Sequence, residues 1–306
     1  MKDIENVIIC GIGAIGSIYA NKINEYNSQK LKILVDKKRF ENYTKNPKIF
    51  NGKTLKLNYI LPENDDFKAD LIIIATKFDG LFDAINNIQN FVKEDTIIIS
   101  LLNGVTSEEI IAQKYGWRHL PISYFLGHSA MRDGNNIVHD GIGKIVFGIK
   151  DITRTDSSDI EKVKQYFDKV GIDYEIPKDM LYSYWLKFML NVSSNQPSAI
   201  LRMTFGQMQN NKKYLEFAKK IMQEVQTAAK FEGVQNTENL IKDAFVEFNK
   251  MIPNGKTSML QDVEAGRKTE VEIFAGTMID FGKKYNFPTP YNQVLKDILE
   301  IIHENR

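Results

Sequence analysis

Three glycines near the start of the chain have the spacing of a phosphate-binding turn. Gly11, Gly13 and Gly16 follow an apolar run at 6–10 and open a segment with a helical pattern. In such a turn the first glycine permits the tight bend, the second lets the backbone approach a pyrophosphate, and the third allows the helix to pack closely. The helix N-terminus then offers N–H groups to the anion. The alternative is a glycine-rich turn with only a structural role. In this context we predict a dinucleotide-binding segment made of Gly11, Ile12, Gly13, Ala14, Ile15 and Gly16.

The residues after the second apolar run bear on the choice of dinucleotide. Asp36 ends the run at 31–36, where an acid accepts hydrogen bonds from ribose hydroxyls, which favours NAD. Lys37, Lys38 and Arg39 follow and can hold a 2′-phosphate, although a solvated loop explains them equally well. Asp36 can also turn aside to pair with one of these cations. Three cations against one carboxylate slightly favour NADP(H), with NAD(H) as the alternative.

A lysine and two asparagines share one face of an apolar helical pattern at 181–200. Lys187, Asn191 and Asn195 are spaced i, i+4 and i+8, so a helix aligns them. Lysine is rarely buried without a partner or a task. The alternative is a lysine that extends to solvent, beside surface asparagines.

Two further groups of polar residues lie at predicted element ends. In the segment 257–276, Gly266 is expected to end one helix and residues 267–270 to begin another, which puts Ser258 and Thr269 at or near helix starts and Glu270 in a first turn. Thr76, Lys77 and Asn103 follow predicted strands. Ligands bind at the carboxyl ends of parallel strands, so these residues can face a cofactor. Ordinary capping and turn chemistry are the alternatives for both groups.

The elements that position these residues fall into two halves. Up to Pro177, runs rich in isoleucine and valine alternate with helical patterns, which is typical of a doubly wound parallel sheet. Strand runs lie at 6–10, 31–36, 69–76 and 95–103, with a hairpin at Asn51-Gly52 and further strands around a helix at 159–169. Helical patterns then cover 179–202, 212–232, 237–251, 258–265 and 270–285. We predict an α/β fold with a Rossmann-type dinucleotide-binding domain at 1–176 and an all-helical substrate and catalytic domain at 177–306.

Composition excludes several classes of function. The net charge of +1 over 306 residues provides no bulk attraction to nucleic acid or an anionic membrane. The single cysteine, Cys10, excludes an internal disulfide framework and a cysteine-based zinc site. No signal peptide is visible, and no apolar run reaches the roughly 18–20 residues of a membrane helix. We expect a cytoplasmic protein that acts on a small molecule. We predict no metal, because ligand spacing is lacking among His119, His128, His139 and His303.

These segments, in this order, resemble the ketopantoate reductase (2-dehydropantoate 2-reductase) family over nearly the whole chain. The matching segments are GIGAIG at 11–16, TK at 76–77, NG at 103–104, RDGNNIVHDGIGKIVFG at 132–148, WLKFMLNVSSNQP at 185–197, SMLQD at 258–262 and TEVE at 269–272. The resemblance implies a Rossmann domain, a helical domain and an active site in the cleft between them. It also implies reduction of a 2-oxo acid, most simply ketopantoate in pantothenate biosynthesis, by a reduced nicotinamide.

The resemblance also assigns roles to residues. The family's catalytic lysine falls on Lys187, expected to be the general acid, and its catalytic glutamate on Glu270, which also lies on the cofactor side. Burial should lower the pKa of Lys187, and a nearby Glu270 would oppose that change. Substrate contacts fall on Asn191, Asn195, Ser258 and Asn103, and cofactor contacts on Thr76, Lys77 and Asn103. Members that use NADPH usually have an arginine where Asp36 stands, so the chain departs from the family there.

Two rival interpretations remain. One is an NAD-dependent D-2-hydroxy acid dehydrogenase of the same family. The other is a regulator that binds NAD(P) without turnover, although such a sensor has no chemical need for Lys187 and Glu270. A helical C-terminal domain often contains a dimer interface, so a homodimer is a further expectation.

Overall fold

The computed structural model describes residues 3–64, 66–127, 130–151 and 153–305, except for the side chain of Arg132. Two units can be distinguished by their internal contacts. Unit 1 comprises residues 1–103 and 107–180, and unit 2 comprises residues 104–106 and 181–306. The predicted domains 1–176 and 177–306 remain a prediction. His128, one of the four histidines considered above, lies outside the described residues.

The bounds of the elements in unit 1 are as follows. The strands are β1 (Val7–Cys10), β2 (Leu31–Leu34), β3 (Ile49–Phe50), β4 (Lys53–Thr54), β5 (Tyr59–Ile60), β6 (Leu71–Ile74), β7 (Ile97–Ser100), β8 (Ile122–Gly127), β9 (Met131–Asp133), β10 (Asn136–Val138), β11 (Gly143–Gly148) and β12 (Tyr174–Glu175). The helices are α1 (Ala14–Asn27), α2 (Lys37–Lys45), α3 (Leu81–Asn87), α4 (Ser107–Tyr115) and α5 (Ser157–Val170).

A parallel sheet with the strand order β5-β2-β1-β6-β7 forms the centre of unit 1. Its inner strands are buried on both faces, because alternate residues pack into different clusters. Ile9 belongs to the cluster that contains Tyr19 of α1 and Phe167 of α5, whereas Ile8 belongs to the one that contains Leu81 of α3 and Ile111 of α4. Helices therefore cover both faces of the sheet, which confirms the predicted doubly wound fold.

Two smaller sheets complete unit 1, with strand orders β4-β3-β10-β9 and β12-β11-β8. The predicted hairpin joins β3 to β4, and its turn residues Asn51 and Gly52 have φ angles of +46° and +79°. Both angles lie in the left-handed region that two-residue hairpin turns require. The sequence patterns did not predict β8, β9 and β10.

Unit 2 is built from helices. They are α6 (Met180–Leu201), α7 (Phe205–Gln209), α8 (Lys212–Phe231), α9 (Leu240–Asn249), α10 (Ser258–Glu264), α11 (Thr277–Tyr285) and α12 (Pro290–Glu304). A π-helical turn at Glu272–Gly276 precedes α11. The predicted helical patterns are present, whereas α7 and α12 were not predicted. Among the helices of the described ranges, none combines the length and apolar character needed to cross a membrane.

Candidate active site

The glycine turn shows which of its glycines are required for packing. A Cβ on Gly11, whose φ is +93°, would lie 2.7 Å from the carbonyl oxygen of Ala75, and one on Gly16 would lie 1.9 Å from that of Gly11. A Cβ on Gly13 would meet no atom within 4 Å. Gly13 is also the N-cap of α1 and provides no side-chain cap. The turn therefore leaves open space beside Gly13 and the N–H groups of the first turn of α1.

The end of β6 lies against this turn. The backbone nitrogen of Thr76 is 2.9 Å from the place that a Cβ of Gly11 would take. The Thr76 hydroxyl is buried and has no hydrogen-bond partner within the described ranges, although buried hydroxyl groups are normally paired. Lys77, the next residue, is exposed. An open cradle, a helix N-terminus and an unpaired hydroxyl together fit the pyrophosphate and polar groups of a dinucleotide.

Asp36 caps α2 and pairs with one of the three cations that follow it. Its Oδ1 accepts a hydrogen bond from the backbone N–H of Arg39 at 2.7 Å, and its Oδ2 accepts one from the Arg39 guanidinium. Lys37 and Lys38 are exposed. Of the two orientations that the sequence left open for Asp36, the structure contains the one in which it pairs with a neighbouring cation.

A chain of hydrogen bonds in unit 2 connects three of the predicted substrate residues. The Ser258 hydroxyl donates to Asn195 Oδ1 at 3.1 Å, and the Met259 N–H donates to the same oxygen at 3.3 Å. Asn195 Nδ2 in turn donates to Asn191 Oδ1 at 3.4 Å. Because two donors hold the oxygen of Asn195, the orientation of both amides is fixed by the network. Asn191 and Asn195 are buried on α6, so these hydrogen bonds form a fixed polar surface on that helix.

Lys187 lies on the same helix, two turns before Asn195. The residue is half-buried, and desolvation lowers the pKa of its ammonium group to about 8. Burial has this effect because a low-dielectric surrounding disfavours the charged form. The amine can therefore gain and lose a proton near neutral pH, which a solvent-exposed lysine cannot do.

Glu270 has a different position from the one expected. The helical turn after it begins at Val271, so Glu270 precedes the helix and does not lie in its first turn. Its carbonyl oxygen accepts a hydrogen bond from the Ile273 N–H at 3.2 Å. The segment that follows is π-helical, and such turns occur frequently at functional sites.

One group of potential metal ligands occurs within the described residues, outside the sites above. Ligand atoms of His119, Asp156 and Asp159 lie within 4.8 Å of one another. The two oxygens of Asp159 already contact His119 Nδ1 at 2.5 Å and the Lys162 ammonium at 2.8 Å. The positive charge beside Asp159 is therefore supplied by Lys162.

Among the buried acids that the sequence patterns missed is Glu108 of α4. It is 1% exposed, whereas the next residue, Glu109, lies on the surface. The helical period contained the signal, because Glu108 is three residues before the buried Ile111 and therefore shares its face.

The sequence matches one known protein family over most of its length. The family model for ketopantoate reductase PanE/ApbA matches residues 7–151, and the model for the C-terminal part of the same family matches residues 179–303. The chain belongs to the ketopantoate reductase family. A 2-dehydropantoate 2-reductase of Pyrococcus horikoshii is 28% identical over 297 residues, which cover 94% of each chain. The ketopantoate reductase family consists of oxidoreductases, and this relationship supports a nicotinamide-dependent reductase of oxo acids.

Solved structures share the fold at low identity. A D-mandelate dehydrogenase solved with NADH and anilino(oxo)acetate has a TM-score of 0.86 at 23% identity, and the match covers 98% of both chains. A ketopantoate reductase of Staphylococcus aureus, described as dimeric, has a TM-score of 0.75 at 20% identity and is covered over 99% of its length by 98% of this chain. These matches extend over both units.

Proposed function

We propose that the chain reduces a 2-oxo acid to a 2-hydroxy acid, with 2-dehydropantoate as the substrate. The observation that carries the proposal is Lys187, a lysine with a pKa of about 8 on the helix that also bears the buried Asn191 and Asn195. A reductase needs such a group, because negative charge develops on the ketone oxygen as the carbonyl is reduced. The family relationship supports 2-dehydropantoate as the substrate.

The chain's own residues would divide the work as follows. A bound reduced nicotinamide supplies the hydride for the ketone carbon. The Lys187 ammonium stabilises the charge on the ketone oxygen and delivers the proton that completes the alcohol. Asn191, Asn195 and Ser258 orient the substrate carboxylate and hydroxyl. Glu270 hydrogen-bonds the substrate hydroxyl or the new alcohol.

Unit 1 would hold the cofactor. The open space beside Gly13 and the N-terminus of α1 would accept the pyrophosphate, and the Thr76 hydroxyl would find its missing partner on the cofactor. Lys77 and Asn103 would complete the cofactor side at the ends of β6 and β7. Supporting this assignment, all these residues follow parallel strands at the same edge of one sheet.

We infer a preference for NADH over NADPH, which reverses the balance suggested by the cations in the sequence. The Arg39 guanidinium is hydrogen-bonded to Asp36 and so is less available to a 2′-phosphate. The Asp36 carboxylate retains lone pairs that can accept hydrogen bonds from ribose hydroxyls. A 2′-phosphate close to Asp36 would meet a like charge, and the Arg39 guanidinium, already paired with that carboxylate, would offset part of the repulsion. The NADH in the D-mandelate dehydrogenase complex agrees with this inference.

A second candidate function is an NAD-dependent D-2-hydroxy acid dehydrogenase, which uses the same kind of cofactor and differs in its substrate. A steady-state assay that crosses NADH and NADPH with 2-dehydropantoate and several aryl and alkyl 2-oxo acids separates the two. The highest kcat/KM for 2-dehydropantoate supports the first proposal, and the highest for another 2-oxo acid supports the second.

Lys187→Ala should lower kcat about 10²–10⁴-fold with folding intact. A folded variant with wild-type kcat would refute the role of Lys187.

The same assay tests the cofactor. The wild-type protein should have a higher kcat/KM with NADH than with NADPH. Asp36→Ser should reduce the ratio of these two values. If NADPH is preferred instead, Lys37→Ala combined with Arg39→Ala should raise KM for NADPH far more than for NADH.

We also propose a homodimer, in line with the dimeric Staphylococcus aureus relative, and light scattering of the purified protein tests it.

A further inference from the structure

A buried carboxylate lies at the base of the segment that carries Asn103. Glu108, in the first turn of α4, is 1% exposed, whereas glutamate is rarely buried to that extent unless it is paired. Its Oε2 accepts a hydrogen bond from the Ser107 hydroxyl at 2.7 Å, and its Oε1 accepts one from the backbone N–H of Ser123 at 3.2 Å. The carboxylate therefore ties α4 to β8.

Serine side chains extend this network to the end of β7. Ser100 Oγ donates to Ser107 Oγ at 2.9 Å, and Ser123 Oγ donates to the Ser100 carbonyl oxygen at 2.7 Å. Ser100 immediately precedes the segment 101–106, and Ser107 immediately follows it. Their contact closes the segment at its base. We call Ser100, Ser107, Glu108 and Ser123 the serine–glutamate clasp.

We propose that Glu108 is a positioning residue for cofactor binding, which acts by holding the segment 101–106 so that Asn103 faces the nicotinamide cofactor. This inference rests on the proposed function, in which Asn103 contacts the cofactor. The clasp also reaches into the segment, because the Leu102 N–H donates to Ser100 Oγ at 3.4 Å. Leu102 is the residue directly before Asn103.

The clasp needs a group that accepts on both oxygens. The hydroxyl protons run in one direction, from Ser100 to Ser107 and from Ser107 to Glu108, while an N–H group approaches the other carboxylate oxygen. Glutamine has the same shape but offers one oxygen and one NH₂ group. In Glu108→Gln, therefore, the NH₂ group either faces the N–H of Ser123 or forces the hydroxyls of Ser107 and Ser100 to reverse their donor and acceptor roles. The segment 101–106 then loses its fixed base without loss of packing volume.

The first experiment compares Glu108→Gln with Glu109→Gln. The two residues are adjacent in α4, and both changes replace a carboxyl group with an amide in the same helix turn, but Glu109 is exposed and pairs with Lys150 on the surface. Fluorescence titration gives Kd for NADH and NADPH, and the tighter ligand of the wild-type protein serves as the probe. Glu108→Gln should raise this Kd about tenfold, and Glu109→Gln should leave it within about twofold.

A double-mutant cycle with Asn103→Ala separates positioning from a general structural effect. If Glu108 acts through Asn103, Glu108→Gln should weaken cofactor binding about tenfold in the wild-type background and less than about twofold in the Asn103→Ala background. Equal losses in both backgrounds, or no loss in a folded Glu108→Gln variant, would overturn the proposal. So would an unchanged Kd in Asn103→Ala alone.

A second variant and a readout that needs no turnover complete the test. If Glu108→Gln does not fold, Ser107→Ala removes the central hydroxyl with a smaller perturbation and enters the same cycle, with the same outcomes. Cofactor titration needs no turnover, so the inference can fail while 2-oxo acid reduction is observed. It can also hold if the substrate is not a 2-oxo acid, so the two failures are distinguishable.

Discussion

The lowered pKa of Lys187 determines the pH range in which this residue can act as an acid. Its ammonium form predominates below about pH 8 and is lost as the pH rises through that value. We expect kcat/KM for reduction of the 2-oxo acid, which reports the free enzyme, to fall above about pH 8. Steady-state rates from pH 6 to pH 10 with a fixed cofactor concentration measure this. A plateau that continues to pH 10 would show that another group delivers the proton.

The same burial makes Lys187 costly for stability. A lysine with a pKa lowered from 10.5 to about 8 destabilises the folded state fully below pH 8, and the penalty fades as the pH approaches 10.5. Lys187→Met keeps the apolar stem and removes the charge. It should raise the free energy of unfolding at pH 7 by about 1–3 kcal/mol while abolishing most activity. Urea denaturation at pH 7 and pH 10 measures both the gain and its decline. A less stable Met variant at pH 7 would contradict this account.

The sequence predicts which of these residues align along one helix, but it does not predict which residues on different helices are in contact. The alignment of Lys187, Asn191 and Asn195 follows from the helical period alone, so the sequence predicted it. The hydrogen bond between Asn195 and Ser258 depends on how α10 packs against α6, and no local pattern contains that information. Asp36 is intermediate, since the sequence admitted its pairing with a cation but could not select Arg39.

At the scale of elements, α6 contains a proline, and a side chain of the neighbouring α8 replaces the backbone hydrogen bond that this proline cannot make. Pro197 has no N–H, so the Ser193 carbonyl oxygen lacks its usual helical donor. The Tyr214 hydroxyl of α8 donates to that oxygen at 3.0 Å, in a buried position. Tyr214→Phe should therefore lower the free energy of unfolding by about 1–3 kcal/mol, because a buried carbonyl is left unpaired. Thermal and urea unfolding measure the loss, with the exposed Tyr26→Phe as control. Equal stability of the two variants would mean that water replaces the hydroxyl.

Each element that the sequence did not predict was missed for its own physical reason. Leu295 and Leu299 of α12 are buried at helical spacing, but Val294 and Ile301 are exposed and obscure the apolar face. The short strands β9 and β10 depend on pairing of β10 with the distant β3, which local propensity does not specify. The π-helical turn at Glu272–Gly276 departs from the 3.6-residue period, so the helical pattern did not predict it.

At the scale of the whole molecule, recognition of an anionic substrate rests on local groups. The net charge of +1 creates no field that would concentrate a 2-oxo acid at the surface. In the proposed function, the charge of Lys187 and the oriented amides of α6 would supply selectivity at short range. The fold class was predictable because strands buried on both faces give apolar runs of the kind seen in β1, β6 and β7.

Binding of the cofactor should stabilise the whole molecule, and Gly13 allows this effect to be separated from folding. The backbone of Gly13 has φ −75° and ψ −154°, which alanine adopts without strain, and a Cβ there meets no atom within 4 Å. Gly13→Ala should thus keep or slightly raise the stability of the free protein, by about 0.5 kcal/mol. Wild-type protein at 100 times the Kd of NADH should gain about 2.7 kcal/mol, whereas Gly13→Ala should lose most of that gain because its Cβ takes the space of the pyrophosphate.

Thermal unfolding with and without NADH measures both quantities in one experiment. Gly16→Ala is the matched control, because its Cβ would lie 1.9 Å from the Gly11 carbonyl oxygen and should destabilise the protein even without cofactor. If Gly13→Ala keeps the full shift with NADH, the pyrophosphate does not approach this glycine, and the segment from Gly11 to Gly16 is a structural turn. If Gly16→Ala is as stable as wild type, the close packing of α1 on β1 and β6 is not what requires the third glycine.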